Sequence, residues 1–127
     1  MIADKIKSAD FKSEKHVPVI ECADSVTPGA PLEVTVSVGK EIPHPNTANH
    51  FIEWIALYFT PKGSTTPVEL FRTTFSAHSA AMAVDAKGPA ATAPFATCKV
   101  SLNGPGTLEA LSYCNLHGLW QSAKELS

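Results

Sequence analysis

Apolar and polar residues alternate along much of this chain with the two-residue period of a β-strand. The clearest case is the segment 32–38, in which every second residue is apolar. Because successive side chains of a strand point to opposite sides, these apolar residues share one face. They are Leu32, Val34, Val36 and Val38. Residues 51–60 are apolar almost throughout, which predicts a strand that is buried on both faces.

Turn-forming residues, among them ten prolines and seven glycines, divide the chain into seven segments of strand length. Strands are predicted at residues 18–22, 32–38, 51–60, 68–75, 96–102, 107–113 and 119–126. Residues 78–94 are predicted as an irregular excursion, with a helical turn at 79–84 and a loop at 88–94. Seven short strands without a long helical period predict an all-β fold, a seven-stranded immunoglobulin-like antiparallel β-sandwich.

Length and composition fit one domain, residues 1–127, with residues 1–13 as a short N-terminal extension. The net charge of −2 does not favour binding to nucleic acid or to an anionic membrane surface. No apolar run is long enough for a membrane span, and the charged N-terminus lacks the apolar region of a signal peptide. A cytoplasmic location is therefore expected, with Cys22, Cys98 and Cys114 as reduced thiols. A disulfide between Cys22 and Cys98 is the less favoured alternative.

Five metal-ligating side chains lie in loops or at strand ends, where a β-sandwich can bring them together. They are His16, His44, His50, Cys114 and His117. His44 stands between two prolines, which restrict its backbone and favour a rigid loop. Taken singly, each residue is more often surface histidine or buried cysteine than a ligand. Taken together they predict a metal site, whereas His78 is interpreted as an ordinary surface or core histidine.

The ligand types leave three kinds of metal protein open. A structural zinc site is closed by four ligands, so five candidates are one too many. Blue-copper sites use two histidines and one cysteine, often with an axial methionine, and Met82 is the only methionine beyond Met1. Iron suits several imidazoles with one thiolate, and five ligands leave one octahedral position open for a small molecule. The candidates are thus an iron enzyme, a cupredoxin-like electron carrier and a sandwich with structural zinc.

Three segments, taken in chain order, resemble those of a known family. Residues 14–18 read EKHVP, residues 39–46 read GKEIPHPN and precede His50, and residues 114–120 read CNLHGLW. Together they resemble the superoxide reductases, and among these the one-iron type called neelaredoxin. The resemblance runs from about residue 9 to the end of the chain. The Cys-x-x-Cys pairs of the rubredoxin-like module found in the desulfoferrodoxin branch do not occur, so only the catalytic iron centre is expected.

The resemblance implies one iron with four equatorial imidazoles, those of His16, His44, His50 and His117, and with Cys114 as the axial ligand. Superoxide would bind opposite the sulfur and be reduced to hydrogen peroxide. An external donor, a rubredoxin-like protein, would return the electron. The relatives form dimers or tetramers, so a homo-oligomer is expected.

Two further residues take catalytic roles by the same resemblance. Glu14 would match a glutamate that can occupy the open position in the oxidised form. Lys15 would match a lysine beside that position, and its charge, together with that of Lys40, would attract superoxide. Gly118 is expected to relieve the backbone where the chain turns away from the metal.

Overall fold

Seven β-strands form nearly all the regular structure of the computed structural model, which describes residues 1–80 and 88–127. They are β1 (Pro18–Glu21), β2 (Pro31–Val38), β3 (Ile52–Pro61), β4 (Val68–Thr74), β5 (Phe95–Ser101), β6 (Gly106–Cys114) and β7 (Gly118–Leu126). A single-turn 3-10 helix, Ile2–Lys5, precedes them. Every predicted strand is found, with each end within one residue of its predicted place. Most of the helical turn predicted at 79–84 lies outside the described residues.

The strands form two antiparallel sheets that enclose one apolar core. The first sheet has the order β1-β2-β5 and the second has the order β4-β3-β6-β7. The alternating face predicted for β2 points inward, with Val34 and Val36 fully buried. Opposite them lie Ile55 and Leu57 of β3 and Leu108 of β6, all without exposed surface. The immunoglobulin-like antiparallel sandwich predicted from the sequence is confirmed.

Strand register brings three loops to the same end of this sandwich. Pro18, at the start of β1, pairs with Val38 at the end of β2. Ile52, at the start of β3, pairs with Cys114 at the end of β6, and Cys114 also pairs with Gly118 of β7. The residues before β1, the loop between β2 and β3, and the turn between β6 and β7 therefore lie near one another.

Two glycines shape the loops at this end. Gly118 has a φ of 80°, a left-handed conformation that side chains with a Cβ rarely adopt, which agrees with its expected role in the turn. Gly39 has a φ of 87°, and a Cβ on it would lie 2.6 Å from the backbone nitrogen of His44. The loop that carries His44 can therefore fold back onto the end of β2 only because residue 39 has no side chain.

The structure bears on the expected reduced state of the cysteines and on the expected lack of a membrane span. Cys22, Cys98 and Cys114 are free thiols, so the alternative disulfide between Cys22 and Cys98 is not formed. Among the described residues, no helix has the length and apolar character needed to cross a bilayer.

Candidate metal centre

His16 is held from three sides. Its Nδ1 donates a hydrogen bond to Oε1 of Glu14 at 2.7 Å, and its backbone N–H donates to the same oxygen at 3.1 Å. Its ring stacks on the indole of Trp120 with 5.0 Å between centroids. The backbone carbonyl accepts a hydrogen bond from the buried hydroxyl of Ser112. Because Nδ1 carries the proton, Nε2 offers its lone pair to the centre of the loop cluster, 3.0 Å from Nδ1 of His117.

His44 presents a buried nitrogen without a partner. Its Nδ1 donates to the carbonyl oxygen of Pro45 at 2.6 Å, so the lone pair lies on Nε2. Nε2 is buried and has no hydrogen-bond partner among the described residues. The ring centroid lies 4.7 Å from that of His16 and 4.6 Å from that of His50. A buried lone pair without a hydrogen-bond partner is costly, and a metal ligand needs a lone pair that is free in this way.

The remaining three side chains complete a cluster of donor atoms. Nδ1 of His117 lies 3.2 Å from Nε2 of His50 and 3.7 Å from Sγ of Cys114. The donor atoms of four residues, His16, His50, Cys114 and His117, all lie within 4.8 Å of one another. His44 is not one of these four, although its ring packs against two of them. The structure therefore gathers all five predicted ligands, four of them with their donor atoms already in close proximity.

The cluster is closed on one side and open on the other. Cys114 has no exposed surface, and His16 and His44 are buried. His117 is exposed and His50 is half-buried. The thiol therefore lies on the protein side of the cluster, and solvent reaches the cluster at the two outer imidazoles.

Asn115 ties the turn of Cys114 and His117 to the loop of His50. Its Oδ1 accepts a hydrogen bond from the backbone N–H of Phe51 at 2.8 Å, and its Nδ2 donates to the carbonyl oxygen of Asn49 at 2.9 Å. Both partners are direct neighbours of His50 in the chain. Sequence reasoning missed this residue, and its only signal was its position between two predicted ligands.

The electrostatics of the cluster favour neutral imidazoles. Burial lowers the pKa of His16 and of His50, and it lowers the pKa of His44 to about 4. The positive charge of Lys15 is a smaller cause that acts in the same direction on the pKa of all three rings. At neutral pH these rings keep their lone pairs, so they can bind a metal without first losing a proton.

Glu14 and the two lysines occupy different environments. The hydrogen bond from His16 lowers the pKa of the Glu14 carboxyl, so the group is a carboxylate at the far edge of the His16 ring. It orients that ring in this structure and does not face the donor atoms. Lys15 is half-buried. Lys40 instead forms an exposed ion pair with Glu21, with 2.8 Å between Nζ and Oε2, so part of its charge is offset.

Imidazole nitrogens and one sulfur, gathered at the end of an antiparallel sandwich, define a mononuclear centre for a transition metal. The donor set contains no carboxylate oxygen, so it does not suit calcium or magnesium. With His44 as a fifth ligand, it exceeds the four ligands of a structural zinc site. The residues therefore fit an iron centre, with Nε2 of His44 as the buried atom that lacks a partner.

Comparison with known proteins gives the family. The sequence model described as desulfoferrodoxin matches residues 8–123, and the chain belongs to that family. A superoxide reductase of Pyrococcus horikoshii is 47% identical over 99% of each chain. The neelaredoxin of Megalodesulfovibrio gigas is 44% identical over 99% of this chain and 97% of its own. The structure of the superoxide reductase (neelaredoxin) of Archaeoglobus fulgidus in the reduced form superimposes with a TM-score of 0.85 at 47% identity, covering 97% of this chain and 98% of that one.

Proposed function

We propose that this protein is a superoxide reductase with one mononuclear iron. The observation that carries the proposal is the convergence of four donor atoms within 4.8 Å beside the unpartnered Nε2 of His44. Iron bound there would supply one electron to superoxide, which with two protons from solvent gives hydrogen peroxide. The named activity of the relatives from Pyrococcus horikoshii and Archaeoglobus fulgidus supports the same reaction.

The metal would be held by the five residues predicted from the sequence, namely His16, His44, His50, Cys114 and His117. In two of the histidines a hydrogen bond from Nδ1 leaves the lone pair on Nε2. His16 donates to Glu14, and His44 donates to the carbonyl oxygen of Pro45. Such outer bonds fix the tautomer and orientation of ligating histidines. Cys114 is fully buried, so it would bind the metal from the protein side and leave the open side of the cluster for the substrate.

Lys15 attracts the anionic substrate. The net charge of −2 does not favour anion capture, so a local positive charge must provide it. One unit charge about 8 Å from an anion contributes roughly 2 kcal/mol at an effective dielectric constant near 20, before salt screening. Lys15, whose charge is felt at three of the histidines, is better placed for this than Lys40, which is paired with Glu21.

Glu14 has a double role in the proposal. In this structure it is bonded to His16 and keeps Nε2 of that ring unprotonated. The second role is contact with the open side of the cluster in the oxidised protein. It requires rotation of the Glu14 side chain, which is about one-third exposed and therefore has room to move.

The catalytic cycle needs partners from outside the chain. Among the described residues there is a single group of metal-binding side chains, so the electron must come from an external donor, for which we propose a rubredoxin-like protein. We further propose a homo-oligomer, dimer or tetramer, because β5 is an edge strand that can pair between subunits. Free thiols at Cys22 and Cys98 are compatible with the proposed cytoplasmic location.

The stoichiometry of the reaction tests the proposal. A reductase yields one hydrogen peroxide for each superoxide consumed, with one electron drawn from the reduced protein. A dismutase yields one hydrogen peroxide and one dioxygen for every two superoxides. The fully reduced protein, mixed with a several-fold excess of superoxide and no added donor, is expected to give the first ratio for one superoxide per iron and then to catalyse no further loss beyond spontaneous dismutation. Continued catalysed consumption with one dioxygen released for every two superoxides would replace reductase by dismutase, and no catalysed consumption would reject both.

A further inference from the structure

His78 lies in the segment that follows β4, and it is bonded at both ring nitrogens. Its Nε2 lies 2.8 Å from the carbonyl oxygen of Phe75, and its Nδ1 lies 3.0 Å from Oδ1 of Asn46. Its ring also stacks on the phenyl ring of Phe51, with 3.8 Å between centroids and 11° between planes. His78 therefore makes three contacts, and two of them are to the loop between β2 and β3, at Asn46 and Phe51.

Asn46 is held by hydrogen bonds at its side-chain amide and at its backbone carbonyl oxygen. Its Nδ2 donates to the carbonyl oxygen of Thr92 at 2.8 Å, and its own carbonyl oxygen accepts a hydrogen bond from the hydroxyl of Ser79 at 3.2 Å. Reversing the amide would lose the bond to Thr92, so Oδ1 must face His78. Each ring nitrogen of His78 thus lies within hydrogen-bond distance of an oxygen, one on Asn46 and one on Phe75.

The contacts of His78 flank two candidate metal ligands. Asn46 follows His44 by two residues, and Phe51 directly follows His50. The His78 ring is thus hydrogen-bonded to Asn46, near His44, and stacked on Phe51, beside His50. It connects both positions to the end of β4 through the carbonyl of Phe75.

We propose that His78 is a positioning residue that holds the loop of residues 44–50 in its metal-binding conformation. This inference rests on the proposed iron centre, because it assumes that His44 and His50 bind the metal. A loop that is ordered before the metal arrives loses less conformational entropy on binding. Metal sites require ligands held close to their final geometry, and His78 provides that support by acting through Asn46 and Phe51.

The test is a double-mutant cycle with His78→Phe and Asn46→Ala in the full chain. His78→Phe keeps a ring to stack on Phe51 and removes both hydrogen bonds. Fe²⁺ affinity is measured anaerobically by competition with a chelator, and the visible spectrum of the Co²⁺-loaded protein reports the ligand geometry. We expect about tenfold weaker Fe²⁺ binding for His78→Phe, within the range known for residues that support metal ligands. We also expect a changed Co²⁺ spectrum and an effect of the two changes together that is smaller than their sum.

The matched control is Thr107→Val, which removes one hydrogen bond, to Glu125, at the opposite end of β6. It should leave both the affinity and the Co²⁺ spectrum unchanged. If His78→Phe does not fold, His78→Gln, which keeps one donor, replaces it in the cycle. Wild-type affinity and spectrum in a folded His78 variant, or additive effects with Asn46→Ala, would overturn the inference while leaving the iron centre in place. A wild-type chain that binds no Fe²⁺ would instead reject the proposed function.

Discussion

Oε1 of Glu14 lies 2.7 Å from Nδ1 of His16 and also accepts the backbone N–H of that residue. One carboxylate oxygen thus fixes both the ring tautomer and the local backbone. Glu14→Ala removes this bond, so Fe²⁺ should bind about tenfold or more weakly. Glu14→Gln keeps an oxygen acceptor, so its affinity for Fe²⁺ should fall less than that of Glu14→Ala.

The same substitution tests the second role proposed for Glu14. If the carboxylate contacts the open side of the cluster in the oxidised protein, Glu14→Ala should change the oxidised optical spectrum and leave the rate of superoxide capture nearly intact. Spectra are compared at full iron loading, because a lower iron content in the variant would itself reduce the absorbance. Identical oxidised spectra for the wild type and the variant would remove this role.

Lys15→Ala should slow the bimolecular reaction with superoxide by about tenfold at low ionic strength, which is less than the unscreened attraction allows. The wild-type rate should fall as salt is added, and the variant should show a shallower fall. Lys40→Ala is the matched control, since Lys40 is paired with Glu21 and its loss should change the rate little. Pulse radiolysis measures both rates, and an unchanged rate for Lys15→Ala would exclude Lys15 from substrate capture.

Asn115→Ala should destabilise the metal-binding end of the sandwich. It removes the bonds to Phe51 and Asn49, each of which contributes about 1 kcal/mol. The free energy of unfolding of the metal-free protein should drop by about 2 kcal/mol. Urea unfolding measures this, with the exposed Asn103→Ala as a control that should lose almost nothing. Equal stability of the two variants would contradict the bridging role.

The metal-free protein should lose stability as the pH falls from 6.5 towards 4. Burial lowers the pKa of His44 from its ordinary value of 6.5 to about 4. Between these values the unfolded chain binds a proton that the folded chain does not, so acid favours unfolding. His44 alone would contribute at most roughly 3 kcal/mol over that range, and the lowered pKa values of His16 and His50 act in the same direction.

Urea unfolding after chelation, at pH 7.5 and at pH 5, measures this effect. His44→Asn should show a smaller difference between the two pH values than the wild type. If the two proteins lose the same free energy of unfolding on acidification, His44 is not the buried neutral group that the structure shows.

The strand pattern and the ligand positions were predictable from the sequence because both depend on local information. Prolines and glycines end the strands, so each strand end could be placed within one residue, as for β2 and β6. His44 and His117 could be placed at one end of the sandwich because they follow or precede strands in loops.

Bonds between side chains of different loops could not be predicted in this way. Asn46 and His78 are separated by 32 residues, and their contact depends on how the segment after β4 folds over the loop between β2 and β3. The family resemblance assigned Glu14 a contact with the open coordination position. In this structure the carboxylate instead accepts a hydrogen bond from His16. Only the packed structure shows which of these partners each side chain meets.

The central claim is a mononuclear iron held by four imidazoles and the thiolate of Cys114. The most direct measurement is metal analysis of the anaerobically purified protein, combined with X-ray absorption at the edge of the metal found. One iron per chain with four nitrogen scatterers and one sulfur scatterer is the predicted result, and Cys114→Ser should lose the sulfur. Copper or zinc in place of iron, or iron without a sulfur neighbour in the wild type, would contradict the claim.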